Sequence, residues 1–191
     1  MNILSSITNY FNGNSLVLIG LMGSGKTSIG QKLAKALTLP FSDSDREIAI
    51  AAGCSIEDFF VQYGEPAFRE GEAKVIKRLL NGTSKVIATG GGAYMCPVVR
   101  EKIKEKGISV WLRADLEVLL ERTSRRSERP LLKTKNPRAT LKELMDLRYP
   151  IYAQADIVVE SDHECIDITI DSIIESLQIF LSKTQKLNNT N

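Results

Sequence analysis

The sequence predicts an α/β fold, a sandwich in which helices cover a mostly parallel sheet. Three observations predict it. Short apolar runs alternate with helical stretches about five times along the chain. The stretch Gly20-Leu21-Met22-Gly23-Ser24-Gly25-Lys26-Thr27 fits the pattern G-x-x-x-x-G-K-[ST], with a strand pattern before it and a helix pattern after it. Finally, three polar or glycine-rich segments, Gly20–Thr27, Asp43–Asp45 and Gly90–Gly92, each follow a strand directly. Open parallel sheets bind ligands at that rim, beyond the carboxyl ends of their strands.

Taken in order, Ser15 to Ile19 is a brief, partly β-branched apolar run and reads as a buried strand. Gly25 to Thr38 follows as a helix, with Ile29, Leu33 and Leu37 recurring on one face. Leu39 to Asp43 reads as a second strand, and Ser44 to Ala52 as a helix stopped by Gly53. Ser55-Ile56-Glu57-Asp58 resembles a capping box opening a helix to Tyr63, ended by Gly64. Pro66 begins another helix, continuing from Phe68 to Leu80, and Asn81-Gly82 turns the chain. Lys85 to Thr89 is a strand. Pro97 opens a helix that Gly107 closes, and Ile108 to Leu112 is a strand carrying Trp111. Asp115 caps a helix from Leu116 to about Ser124. Thr140 and Glu143 form a second capping box, with Pro150 kinking or ending that helix. Ile157 to Glu160 is the last strand and Ile166 to Leu181 the last helix. Residues 1–14 are expected to be a loose extension, 15–183 one domain, and 184–191 a frayed tail.

At 191 residues the chain suits one domain with a substantial core. A net charge of +2 gives no argument for a nucleic-acid or membrane partner, so any positive field must be local. Cys54, Cys96 and Cys165 show no C-x-x-C spacing, which argues against a disulfide framework or a zinc site and fits a reducing cytoplasm. No apolar run reaches the length of a membrane span, and the N-terminus lacks the features of a signal peptide.

Chemistry concentrates at the rim. The glycine loop lets successive backbone N–H groups point at an anion, and the following helix adds its positive dipole end. Lys26 can reach the β- and γ-phosphates of a nucleotide, and the Thr27 hydroxyl can ligand Mg²⁺. Asp43 and Asp45 put two carboxylates at spacing two. One can hold Mg²⁺ through water and the other can orient an attacking hydroxyl, unless one simply caps the next helix. Gly90-Gly91-Gly92 allows close approach of backbone to a ligand. Arg69 and Arg148 could be solvated helix residues, but two arginines aimed at one pocket make a carboxylate clamp. The basic stretch Arg122 to Arg138 has no interleaved aromatics, so a lid closing over phosphates fits better than a nucleic-acid patch. Arg129, followed by Pro130-Leu131-Leu132, is its candidate arginine. His163 lies in a polar turn and reads as a surface residue.

Taken together, the phosphate-loop octet, Asp43-Ser-Asp45, Phe68-Arg69-x-x-Glu72, Thr89-Gly-Gly-Gly92, Arg129-Pro-Leu-Leu132 and Arg148-x-Pro-x-Tyr152 resemble the shikimate kinases, in that family's order and spacing. The resemblance implies a three-layer α/β/α sandwich, with five parallel strands in the order 2-3-1-4-5 and a mobile basic lid at about 122–138. This is the P-loop kinase fold of the nucleoside monophosphate kinases. It implies a cytoplasmic, monomeric enzyme that uses ATP and Mg²⁺ to phosphorylate the 3-hydroxyl of shikimate, on the route to chorismate. By the same resemblance Gly23, Ser24, Gly25, Lys26, Thr27 and Ser28 wrap the ATP phosphates, with Thr27 and Asp43 at the metal. Asp45 contacts the acceptor hydroxyls, Arg69 and Arg148 hold its carboxylate, and Gly91, between Gly90 and Gly92, lies beneath its ring. Arg129 is the lid arginine that contacts ATP. Lys26, Asp45 and Arg129 are the residues expected to act in catalysis. The segment Glu160-Ser161-Asp162-His163-Glu164 departs from the family pattern, which often has a Thr and a Pro near the adenine.

Two rival functions are open to such a chain. Another small-molecule kinase, of the gluconate or nucleoside monophosphate type, would share the phosphate loop, but a neutral acceptor would not need the arginine pair. A non-catalytic nucleotide-binding module is the other. The N-K-x-D and D-x-x-G motifs of a GTPase switch are both missing from the chain.

Overall fold

A computed structural model describes Ile7, Phe11 and residues 13–124, 136–162 and 165–188. The strands are β1 (Ser15–Ile19), β2 (Phe41–Asp43), β3 (Val86–Ala88), β4 (Gly107–Arg113) and β5 (Ile157–Glu160). The helices are α1 (Lys26–Ala36), α2 (Ser44–Ala52), α3 (Ile56–Asn81), α4 (Pro97–Lys106), α5 (Leu116–Ser124), α6 (Pro137–Tyr152) and α7 (Ile166–Asn188). The five strands form one sheet in the order β2-β3-β1-β4-β5, and every neighbouring pair is parallel. Both the α/β class and the strand order expected above are therefore present.

Period-two alternation explains how one sheet feeds two cores. Every residue of β1 is buried, as expected for a central strand covered on both faces. Val17 and Ile19 point to one side, where they join Ile87 and Trp111 beneath α3, α4, α5 and α6. Leu16 and Leu18 point to the other and join Val86, Val110 and Leu112 beneath α1 and α7. Burying each such side chain contributes roughly 1.5–3 kcal/mol, so the two layers of helix, rather than local propensity, hold the strands in place. The rim above the carboxyl ends of the strands is left to loops, and those loops carry the candidate site.

Several element ends differ from the sequence reading. The second strand begins at Phe41, two residues later than expected. The two helices expected around Gly64 lie end to end within α3, and Gly64 (φ 77°) is the non-helical break between them. Helix α6 begins three residues before Thr140. Pro137 takes its first turn, and the Asn136 side chain caps it by accepting from the Ala139 N–H at 3.1 Å. The Thr140 hydroxyl donates instead to the Asn136 carbonyl. Pro150 does not end the helix, which continues to Tyr152. Helix α7 reaches Asn188, past the expected end at Leu181.

Two described residues of the N-terminal extension differ from the expectation of a loose segment. Ile7 and Phe11 are both buried in the core beneath α1 and α7, so these residues are packed and not loose. Ser84 bonds to both Phe11 and Gly13, its hydroxyl donating to the Phe11 carbonyl and accepting from the Gly13 N–H.

Candidate active site

The loop between β1 and α1 lies at the centre of the rim. Gly23 (φ 85°) and Gly25 (φ 86°) occupy the left-handed region, which folds the loop back over the start of α1. Gly25 caps that helix with no side chain, and the first turn carries no acidic residue. Nothing anionic in that turn therefore competes for the helix's positive end. The Lys26 ammonium donates to the carbonyls of Gly20 (2.9 Å) and Leu21 (2.8 Å), which holds the charge against the loop.

Asp43, at the end of β2, has two tasks. One carboxylate oxygen caps α2 by accepting from the Asp45 N–H at 3.1 Å. The other accepts from the Thr27 hydroxyl at 2.8 Å. Asp43 therefore caps α2, as the simpler of its sequence readings has it, and also contacts the phosphate loop through Thr27.

Asp45 faces the other way, toward the glycine segment after β3. A Cβ on Gly90 would lie 2.5 Å from Asp45 Oδ1 and 2.8 Å from Glu72 Oε1. A Cβ on Gly92 would lie 2.4 Å from Arg69, and one on Gly91 3.2 Å from Arg148. No side chain larger than a hydrogen fits at Gly90 or Gly92 unless these charged groups move. The triplet is therefore the floor on which Asp45, Arg69, Glu72 and Arg148 converge. Ser44 holds its first residue by accepting from the Gly90 N–H at 2.9 Å.

The electrostatics of this cluster centre on Glu72, which is 2% exposed. Its carboxylate accepts from Arg69 NH1 at 2.7 Å, while the exposed Glu65 accepts from the same guanidinium at 3.2 Å. Burial pushes the Glu72 carboxyl up; Arg69 and Arg148 pull against that push, and the nearby Asp45 charge adds to it. Burial alone would lower Arg69, but Glu72 and Glu65 outweigh it and raise that group. Arg148 is nearly buried and donates from NH1 to the Gly91 carbonyl at 3.0 Å.

The phosphate loop and this cluster touch. The Cβ position on Gly91 is 3.5 Å from the Gly20 carbonyl and 3.8 Å from the Met22 nitrogen. The structure thus brings together Gly23, Ser24, Gly25, Lys26, Thr27 and Ser28 on one side with Asp45, Arg69, Gly90, Gly91, Gly92 and Arg148 on the other, and Asp43 at the seam. Arg129 and His163 lie outside the described residues. The ends of the basic stretch are described and anchored. Arg138 pairs with Glu117 at 2.7 Å, and Arg122 donates to the Ser161 and Asp162 carbonyls and to the Ser161 hydroxyl. Ser161 in turn donates to the Ser24 carbonyl at 2.9 Å, tying the end of β5 to the phosphate loop.

Sequence reasoning gave no role to Glu72, Ser44 or Tyr152. Glu72 stands among several glutamates on α3, and only packing distinguishes it from them. Among the described residues no helix is long and apolar enough to cross a membrane. No group of three or more His, Cys, Asp or Glu able to hold a metal occurs among them either.

Comparison with known proteins agrees with this geometry. The family model described as shikimate kinase matches residues 22–178. A shikimate kinase of Paramagnetospirillum magneticum is 55% identical, over 88% of this chain and 87% of that one. One of Rhodopseudomonas palustris is 48% identical, over 87% and 82%. Among solved structures, shikimate kinase from Acinetobacter baumannii in complex with shikimate has a TM-score of 0.84 at 36% identity, over 93% of this chain and 98% of that one. A gluconokinase from Sinorhizobium meliloti (TM-score 0.60, 19% identity, over 92% and 97%) shares the fold alone. A phosphate loop set against a buried arginine–carboxylate cluster, and a family match running through both, make this chain a member of the shikimate kinase family.

Proposed function

We propose that this chain transfers the γ-phosphoryl group of ATP to the 3-hydroxyl of shikimate, giving shikimate 3-phosphate and ADP. The observation that carries the reading is the arrangement at Gly90–Gly92. Two arginines and a carboxylate meet over side-chain-free backbone, in contact with the phosphate loop. A guanidinium binds a carboxylate through two parallel hydrogen bonds, so Arg69 and Arg148 are suited to the shikimate carboxylate. Asp45, beside them, is suited to receive the acceptor hydroxyl. Reacting groups held this close convert a bimolecular encounter into an internal one.

The phosphate side follows from the same geometry. The backbone from Gly23 to Ser28 cradles the phosphates, and Lys26 supplies charge to the transferring group. Arg129 is proposed to reach ATP from the lid. Thr27 Oγ1 and Asp43 Oδ2 are hard oxygen donors only 2.8 Å apart, a set that suits Mg²⁺. Mg²⁺ takes only one or two protein oxygens beside substrate phosphates, so a cluster of three carboxylates is not required. When bound, the ion would neutralise phosphate charge. The enzyme is proposed to act as a cytoplasmic monomer.

The reading is tested by ADP release with shikimate, gluconate, a nucleoside monophosphate and no acceptor. Release with shikimate far above the other three supports it. Equal release in all four would leave a nucleotide hydrolase, and release with gluconate alone would favour the rival kinase.

Arg69→Lys is expected to raise the shikimate KM by about 10-fold or more, with the ATP KM within about twofold, since lysine keeps the charge but loses the planar fork. Steady-state titration of each substrate checks this; an equal rise in both would move Arg69 to the nucleotide side.

A pH effect follows from Glu72. Its carboxyl sits above the ordinary range, mainly through burial, so as pH falls it takes up a proton before an ordinary glutamate does. Protonation releases Arg69. The kcat/KM for shikimate, which reports the free enzyme, should therefore begin to fall above the ordinary glutamate range. Glu72→Gln should be weaker throughout and lack that acid limb. Superimposable profile shapes would show that Glu72 does not titrate there.

A further inference from the structure

The buried hydroxyl of Tyr152 lies directly beneath the acceptor floor, and we propose that Tyr152 is a positioning residue for the acceptor, setting the Gly91–Gly92 peptide and the Arg148 guanidinium in one geometry. The proposal rests on the shikimate reading above and adds a residue to it.

Tyr152 is fully buried near the end of α6. Its ring packs against Trp111 (centroids 5.9 Å apart), Tyr149 (6.2 Å) and Tyr94 (6.4 Å). Three aromatic neighbours leave the ring little freedom, so packing sets where its hydroxyl points. That hydroxyl donates to the Gly91 carbonyl. Arg148 NH1 donates to the same carbonyl at 3.0 Å. A carbonyl oxygen has two lone pairs, and these two donors occupy both. Burial raises the phenol's pKa, so the hydroxyl keeps its proton and remains a donor at neutral pH.

The consequence follows from peptide planarity. In a trans peptide the C=O and the next N–H point in opposite directions. No peptide in the described chain is cis. Fixing the Gly91 carbonyl toward Tyr152 and Arg148 turns the Gly92 N–H away from Tyr152. On this proposal that N–H faces the acceptor. Glycine at both positions leaves the peptide plane free to rotate otherwise, so a fixed partner below the floor matters more here than at an ordinary residue. Arg148 is constrained by the same carbonyl. Tyr152 therefore acts on the acceptor through two groups without touching it.

The test is Tyr152→Phe in the full-length protein. The phenylalanine keeps the aromatic packing, and Arg148 still satisfies the Gly91 carbonyl, so no buried acceptor is left unpaired. Tyr94→Phe is the control. That hydroxyl also lies in this aromatic cluster but donates to the Gln154 carbonyl at 3.4 Å. Expected for Tyr152→Phe is a shikimate KM raised by about 10-fold, the scale of one lost hydrogen bond, with the ATP KM within about twofold and the melting temperature near wild type. Tyr94→Phe should leave both KM values unchanged. An unmoved shikimate KM in Tyr152→Phe, or an equal rise in both KM values, overturns the proposal while the functional reading stands. A wild-type protein inert toward shikimate overturns both.

Discussion

Asp45→Asn lowers turnover by about 10²-fold or more on this account, with ATP binding little changed. A secondary alcohol is a poor nucleophile, so its oxygen must be held in line with the γ-phosphorus and its proton must have somewhere to go. On the proposed reading Asp45 serves both tasks; its carboxylate lies against Gly90 in the arginine-lined cluster. Asparagine keeps the size and can still hydrogen-bond, but it cannot take the proton. Asp43 is set apart by its contacts, since both of its oxygens are engaged with Thr27 and the start of α2. Asp43→Asn should therefore raise the Mg²⁺ requirement before it affects shikimate. Separate titrations of Mg²⁺ and shikimate against both variants distinguish the two. If excess Mg²⁺ rescued Asp45→Asn and left Asp43→Asn impaired, the two carboxylates would have to exchange roles.

Lys26→Ala should cost on the order of 10²- to 10³-fold in turnover while leaving the protein folded. The ammonium lies at the mouth of the phosphate loop, bound to the Gly20 and Leu21 carbonyls, and contributes no apolar burial. On the proposed reading its loss removes charge from the place where the transferring phosphoryl group develops it. Circular dichroism and thermal melting should remain close to wild type, since the two cores do not involve this side chain. Near-wild-type turnover would take the phosphate loop out of the mechanism.

The parts of this molecule that were legible in the sequence are those whose chemistry is local. The glycine loop, the Gly53 stop and the alternation of strands and helices need only neighbours in the chain. The strand order came from a family resemblance, because no spacing within the chain says which strands lie side by side. Thr140 misled because two capping signals fall four residues apart, and the proline at the first helical position decided for Asn136. Ile7 and Phe11 stand four residues apart, a helical spacing too short in a polar stretch to mark an element, yet both are buried in the core beneath α1 and α7. Glu72 and Tyr152 were quoted as parts of motifs without a task. The ion pair of Glu72 with Arg69 is local, three residues apart on α3, but the burial of Glu72 against Gly90, like the contact of Tyr152 with the Gly91 carbonyl 61 positions earlier, exists only once distant segments meet.

Phosphoryl transfer to a single hydroxyl of shikimate can be read from the product itself. Purified protein is incubated with ATP, Mg²⁺ and limiting shikimate, ADP is quantified, and the phosphorylated position is assigned by phosphorus and proton NMR. One ADP is expected for each shikimate consumed, with a single phosphate monoester at the 3-oxygen and almost no ADP without shikimate. ADP formed at the same rate without an acceptor, or phosphate found on another oxygen, would contradict the proposed transfer.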